Sequence, residues 1–507
     1  MSPLRRRRFA AALLLAPLLS GCFAGRDGGS SSPDAAGGGR LRVAMAFPPA
    51  EHFSPYGADA TLLSRLGVTE GLTRLDANGT AVPALAESWT RENGHSWLFT
   101  LRDATFQDGT EVTPKTVAAS LTHAAAAKPV PAALSGVRLT AEAAGDRKVR
   151  ISTADPDPAL PLRMSSPGLA VLSGKAYEGG KKAGAGTKDT VDPVGTATGP
   201  FELTEVTGTT RASLDRFDDY WGGRAQASGV DARFIADGAA RTNALRTGDV
   251  DIAEAVPVSQ AASLDGKTVH ETGTARTTSL LLNTRKGAFA DAGLRAAARK
   301  AIDTSALAKG VYEGHADPGK GIFGPALTWA EDKREKPAGR AEAAAPNGRT
   351  LTLATYNNRP ELPEVAQVLQ QQLEKAGFKV ELTVRDYARL ESDALDGKFD
   401  AIVSARNTML DTGDPVSILA SDYTCKGSYN LAQLCDKKVD AAVTEAAGQA
   451  DTAERQDATM AAEAAVLGTD AVVPLVHQRI ITGVGTSVQG VTYDPYERAL
   501  LGTGTRR

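Results

Sequence analysis

The chain has 507 residues, 42% of them hydrophobic, with 57 basic against 60 acidic residues and a formal charge of −3. That length is too great for one hydrophobic core and predicts two or more substructures. The acidic balance argues against nucleic acid as a partner, and beyond the N-terminal leader no stretch is apolar enough to cross a bilayer.

Four arginines, Arg5 to Arg8, precede the apolar run Phe9 to Leu19, after which Ser20, Gly21 and Cys22 put two small residues ahead of a thiol. This is the layout of a secretory signal over residues 1–21. A helix of that apolar run is roughly 16 Å long against a hydrocarbon core of about 30 Å, too short for a stable span. The "LSGC" sequence resembles the lipobox of bacterial lipoproteins, which implies lipid attachment at Cys22 and a place on the outer face of the cell membrane, held by the lipid anchor only. Removing the leader leaves 53 basic residues against 60 acidic ones, a charge of −7. Residues 22–40 are rich in Gly, Ser, Ala and Asp with little to bury, so they are expected to be a flexible tether.

Along the body, strand and helix signals alternate. "LAESWTRENGHSWLFTLR" (85–102) places Trp97, Phe99 and Leu101 in step after an Asn93-Gly94 turn and predicts an antiparallel hairpin. "DARFI", "GAARTNALRTG" and "VDIAEAV" (231–256) form one β-α-β unit. The run 292–314 predicts a helix carrying Leu294, Ala298 and Ile302, then a second helix capped by Asp303 or Thr304. "WAEDKREKPAGRAEAAAPNG" (329–348) is expected to be an exposed loop. A second β-α-β unit follows, with strand "RTLTLATY" (349–356), a helix facing inward through Val365, Val368, Leu369, Leu373 and Ala376 and stopped by Gly377, and the strand "FKVELTV". "KFDAIVSA" (398–405) reads as a further strand, and Asp414 before Pro415 reads as a helix N-cap. Cys425 and Cys435 are expected to pair in an oxidising compartment, closing a loop that contributes about 2.5 to 3 kcal/mol. Zinc is the weaker alternative there, since neither CxxC spacing nor a nearby histidine is present.

"GLTRLDANGTAVPALAESW", "FTLRDATFQDGTEVTPKTVAASL", "PVGTATGPFEL", "FDDYWGG", "ALRTGDVDIAEAVP", "LLLNTRKGAFADAGLRAAARKAID" and "VYEGHADPG" follow one another in an order that resembles the substrate-binding proteins of ABC importers, the peptide, nickel and opine class. The resemblance runs from about residue 41 to 500. It implies an α/β, two-lobe clamshell of the type II periplasmic-binding kind, with residues 41–275 as lobe I, an added subdomain at about 61–194, residues 276–474 as lobe II, and 475–507 returning to lobe I. It further implies a monomer that captures short peptides and delivers them to a membrane permease, with a nickel-chelate or opine carrier as the alternative. "TTSLLLNTR" (277–285) resembles the crossover between the lobes.

The site expectations follow from strand ends, where ligands sit in open α/β sheets. Asp411 falls where similar peptide binders meet the ligand's α-ammonium, and Arg359 near an arginine that meets its carboxylate. Tyr356 and Asn357 are expected on the same wall, Met409 beside Asp411, and Phe53 as the contact from lobe I. Where the peptide binders often carry a tryptophan shortly before the aspartate, this chain has Asn407, Thr408, Met409 and Leu410.

A secreted hydrolase is the rival class. The sequence has no G-x-S-x-G, S-x-x-K or H-E-x-x-H, and "AASLDGKT" lacks the first glycine of a phosphate loop. Its six histidines are scattered singly, so no catalytic residue, metal site or cofactor is expected.

Overall fold

The computed structural model describes residues 38–178 and 191–507. The expected signal, Cys22 and most of the tether lie outside the described residues. The first strand, Leu41–Met45, lies parallel to Gly229–Phe234 on one side and to Ile252–Ala253 on the other, which realises the first β-α-β unit with helix Gly238–Arg246 as its crossover. Antiparallel strands Arg211–Arg216 and Phe201–Thr207 extend that edge. Leu41, Val43, Leu63, Phe201, Leu214 and Val230 are fully buried and form the core of this lobe.

A four-stranded antiparallel sheet is added to it, in the order Ala86–Arg91, Ser96–Leu101, Lys148–Thr153, Leu139–Ala143. The first two strands are the expected hairpin. Helix Pro114–Ala126 belongs to the same core through Val117, Leu121 and Ala124. Its start is fixed locally, because Thr113 and Thr116 cap each other's backbone N–H and Pro114 occupies the first turn.

The second lobe is built on Thr350–Tyr356, parallel to Lys379–Arg385 along its whole length and to Ala401–Asn407 through Leu353 and Ala354. Helix Glu361–Lys375 makes the crossover and buries Leu362, Val365, Ala366, Leu369 and Leu373, while Val368 and Ala376 are only partly buried at the margin of that stripe. Gly377, at φ +101°, takes a backbone conformation that side chains disfavour and turns the chain into Phe378. Asp303 caps helix Thr304–Gly310. In the segment expected to be an exposed loop, residues up to Asp332 form the short helix Thr328–Asp332, and Arg334 bonds the buried Glu463 at 2.6 Å.

Two long strands join the lobes. Val269–Leu282 and Val472–Val484 pair antiparallel, and through them the strands of both lobes form one eleven-stranded sheet. The pairing breaks register between Gly273 and Thr277, a bulge in the middle of the connection. The expected lobe boundaries at 275 and 474 fall inside these two strands. The C-terminal segment then returns to the first lobe, whose core receives Leu500 and Leu501.

Leu369 is fully buried between the sheet and its crossover helix. Leu369→Ala is expected to cost about 2–5 kcal/mol, read as a lower urea midpoint at an unchanged slope.

Candidate ligand-binding cleft

Between the lobes lies a cavity of about 1300 Å³. Lobe II contributes the carboxyl ends of its parallel strands: Tyr356, Asn358 and Arg359 follow one strand, Tyr387 follows the next, and Asn407, Leu410, Asp411 and Thr412 follow the third. Lobe I contributes Phe47 and Pro48 past its first strand, Arg65 at the end of helix Asp59–Arg65, and Glu254 past Ile252–Ala253. Arg276 comes from the bulged long strand and Glu497 from the C-terminal segment.

Three of the six expected ligand contacts therefore share one cavity: Tyr356, Arg359 and Asp411. The other three fall beside it. Asn357 is exposed and ties its N–H to the Arg385 carbonyl at 3.1 Å, leaving Asn358 as the lining residue. Met409 is 2% exposed in the core of lobe II, and Leu410 lines the cavity in its place. Phe53 is 2% exposed and packs edge-on against Phe234, with ring centroids 5.8 Å apart, facing a separate cavity of about 350 Å³. Its turn is fixed by the Asp59 carboxylate, which accepts N–H bonds from Ala50, Glu51 and Phe53 at 2.8 to 2.9 Å. Phe47, 46% exposed, lines the cleft from lobe I, as does Tyr56.

Most charges lining the cleft are already neutralised. Arg276 grips Glu497 with two bonds of 2.9 and 3.0 Å, and Asn407 Nδ2 donates to the same carboxylate at 2.9 Å. Burial alone would raise the Glu497 carboxyl, but Arg276, with Arg359 and Arg65 behind it, holds it down to about 2. Arg65 pairs with Glu254, and Arg455 with Asp414 at 2.6 Å. Asp414 also caps helix Pro415–Tyr423, accepting from Val416 N at 3.2 Å.

The exposed Arg138, Asp155 and Lys426 also line the cavity, with side chains that form no ion pair or hydrogen bond among the described residues, and on the lobe II wall two further groups depart from that pattern. The Arg359 guanidinium forms no ion pair or hydrogen bond among the described residues; it lies 5.8 Å from the Phe47 ring across the cleft and feels the Glu497 and Glu361 carboxylates beyond ion-pair distance. Burial and the neighbouring Arg276 charge push it below the ordinary guanidinium range. Asp411, whose side chain is 26% exposed, shares Arg406 with the buried Asp422, at 3.3 and 3.2 Å respectively. One guanidinium thus faces two carboxylates, and it lies 4.8 Å from the centre of the Tyr429 ring. Tyr356 meets Tyr387 edge-on at 5.0 Å, so tyrosines form much of this wall.

Sequence reasoning missed Arg276, Arg406 and Glu497. The first two carried a visible signal, a single arginine inside an uncharged stretch ("GTARTTSLLL" and "AIVSARN"), whereas Glu497 sits in an irregular tail with none. Cys425 and Cys435 are joined by a disulfide with Cα atoms 4.3 Å apart. Among the described residues no histidine lines the cleft, and no group of three or more His, Cys, Asp or Glu is arranged to hold a metal ion.

The model of the bacterial extracellular solute-binding proteins, family 5 middle region, matches residues 80–430. The chain belongs to this family. It is 27% identical over 469 residues to the glutathione-binding protein GsiB of Shigella dysenteriae serotype 1, an alignment covering 86% of this chain and 88% of that one. Among solved structures, NikA from Brucella suis in complex with Fe(III)-EDTA superposes with a TM-score of 0.77 at 22% identity, covering 92% of this chain and 99% of that one. The dipeptide-binding protein of Pseudoalteromonas sp. SM9913, in complex with Met-Leu, gives 0.75 at 18%, with the same coverage. These matches establish the two-lobe, type II periplasmic-binding fold for this solute-binding protein.

Its acid sensitivity follows from two groups beside or within the connecting strands. His477 is buried between Thr277 Oγ1, 2.9 Å from Nδ1, and Lys320 N, 3.3 Å from Nε2, and it faces Arg334, Asp317, Lys320 and Glu331. Burial pushes it down from 6.5 to about 4. Both His477 and Glu497 bind protons more weakly folded than unfolded, so the stability these two groups contribute is full above about pH 6.5. It falls first between about 6.5 and 4 through His477, then from about 4.5 towards 2 through Glu497. His477→Gln is expected to remove the first phase, worth up to about 3 kcal/mol, in urea unfolding compared at pH 7, 5 and 4.

Proposed function

We propose that the protein is the extracytoplasmic substrate-binding component of an ABC importer and that its ligand is a short peptide. In this reading Cys22 carries the lipid, residues 22–40 tether the body to the outer face of the membrane, and the protein acts as a monomer without catalysing a reaction. The lobes swing about the paired long strands and close over the ligand, which stabilises the closed form by contacting both walls at once.

The observation that carries this reading is the pair of unbalanced charges at the carboxyl ends of the lobe II strands, Arg359 and Asp411. Arg359 has no carboxylate partner among the described residues, and Asp411 shares its only arginine with a second carboxylate. A zwitterion fits them, with its carboxylate on the fork of Arg359 and its ammonium on Asp411. Phe47 and the tyrosines then cover apolar parts of the ligand. The relatives' ligands are compatible with this, since a dipeptide and glutathione each bear both charges. A nickel complex, as bound by NikA of Staphylococcus aureus with two histidines as chelator, is the alternative ligand and would have to bring its own donors.

Calorimetry on a di- to tetrapeptide library tests the assignment. Arg359→Ala and Asp411→Asn are each expected to weaken binding by about 2–5 kcal/mol. Asp411→Asn should also abolish the preference for a free over an acetylated N-terminus, and Arg359→Ala the preference for a free over an amidated C-terminus. Full affinity in both variants, or co-purification of a nickel chelate or opine seen by native mass spectrometry, overturns the peptide reading.

A further inference from the structure

Arg498 lies behind the cleft wall, 7% exposed, and none of the expectations drawn from the sequence involves it. All five of its guanidinium N–H groups are used. Nη1 donates to the carbonyl and hydroxyl of Ser165 at 3.0 and 2.7 Å. Nη2 donates to the carbonyls of Met409 and Leu410 at 2.6 and 2.8 Å, and Nε donates to Leu410 at 3.1 Å. Every acceptor is neutral, and no carboxylate lies within ion-pair distance among the described residues. A buried cation out of ion-pair contact is costly; this one is held by a full set of aimed dipoles, with the Asp494 and Asp411 carboxylates acting on it at longer range.

The partners belong to different parts of the molecule. The backbone of Arg498 is fixed to lobe I: its carbonyl accepts from Ser64 Oγ at 2.7 Å, and Leu500 and Leu501 donate to the Arg65 carbonyl at 3.2 and 3.0 Å. Ser165 belongs to the added subdomain. Met409 and Leu410 belong to lobe II, in the loop between strand Ala401–Asn407 and helix Pro415–Tyr423. The Leu410 carbonyl is half of the peptide group that leads into Asp411, so its two bonds fix the plane from which that carboxylate projects.

We propose that Arg498 is a positioning residue that holds the ligand-facing loop 408–414 in register with lobe I, so that the two walls of the cleft meet the ligand at a fixed separation. It touches no ligand itself. The inference rests on the reading of the cleft as the ligand site, but not on which group of the ligand meets Asp411. Lysine carries the same charge yet lacks the planar fork, and cannot bond Ser165, Met409 and Leu410 together.

Arg498→Lys, Ser165→Ala and the wild type are to be compared by hydrogen exchange and by calorimetry with the di- to tetrapeptide library. Leu369→Ala, destabilised far from the cleft, serves as the stability control. Arg498→Lys is expected to speed amide exchange across 408–414 at least tenfold and to weaken peptide binding at least tenfold, chiefly through faster dissociation. Ser165→Ala, which removes one of the five bonds, should move both quantities in the same direction by less, and Leu369→Ala should leave affinity unchanged. Unaltered exchange in 408–414, or faster exchange with unaltered affinity, overturns the positioning role. An equal loss of affinity in Leu369→Ala also overturns it, by assigning the effect to general stability. Asp411→Asn in the same series judges the ammonium assignment separately: full affinity in that variant together with loss in Arg498→Lys rejects the assignment and retains the positioning role.

Discussion

The buried Arg276–Glu497 pair pins the place where the whole molecule is joined. Arg276 closes the bulge in the strand Val269–Leu282, and the bulge takes Thr274 to Arg276 out of the ladder with Val472–Val484. Their freed backbone groups are not left unpaired. Ala275 N donates to the Pro495 carbonyl at 2.9 Å, and the Ala275 carbonyl accepts from Thr408 N at 2.9 Å. The irregularity in one strand thus receives both the C-terminal segment and the loop that leads to Asp411. Removing either charge of the pair would strand the other where water cannot reach it, a cost of about 3–5 kcal/mol for buried pairs in general. The connection between the lobes is therefore anchored at its bulge to both the C-terminal segment and the lobe II loop.

The same economy governs the cleft. Arginines that build the walls are paired with carboxylates from neighbouring segments, so they shape the cavity without lending it net charge. A ligand cannot gain from a charge that is already answered, because displacing the partner costs what the new contact returns. On the lobe II wall the unmatched groups, Arg359 and the doubly acidic surroundings of Arg406, are the ones that offer differential attraction. Dry walls strengthen both as the lobes approach and water leaves.

Much of the architecture was legible because it rests on local rules. The β-α-β units, the hairpin after Asn93-Gly94, the Asp414 cap and the Gly377 stop each depend on periodicity or on a turn residue, and each can be read within about fifteen residues. The site was legible to the level of the strand end and no finer. Tyr356 and Arg359 were placed in the cleft, but Asn357 gave way to Asn358, Met409 to Leu410 and Phe53 to Phe47. Past a strand end the alternation of faces lapses, and the direction of a side chain is decided by hydrogen bonds to segments hundreds of residues away. Phe53 turns inward because Asp59 gathers three N–H groups of its turn. No pattern in the sequence announces that carboxylate's partners.

Met409 shows the same effect at the residue where this chain differs from peptide binders that carry a tryptophan nearby. Its N–H donates to Asn407 Oδ1 at 3.0 Å, and its carbonyl accepts from Arg498 and from Gly413 N. With both backbone groups held, the side chain is turned away from the cavity and into the core beside Tyr496, against Gly79 of lobe I. Gly79 has φ +74°, and a Cβ there would come within 2.9 Å of the Met409 methyl. The methionine thus packs between the lobes and does not line the cavity. The apolar surface offered beside Asp411 is then that of Leu410 and the facing tyrosines. For the peptide ligand proposed above, a shelf of that kind would suit side chains smaller and more varied than a flat indole would select, because a branched aliphatic group imposes no single stacking geometry.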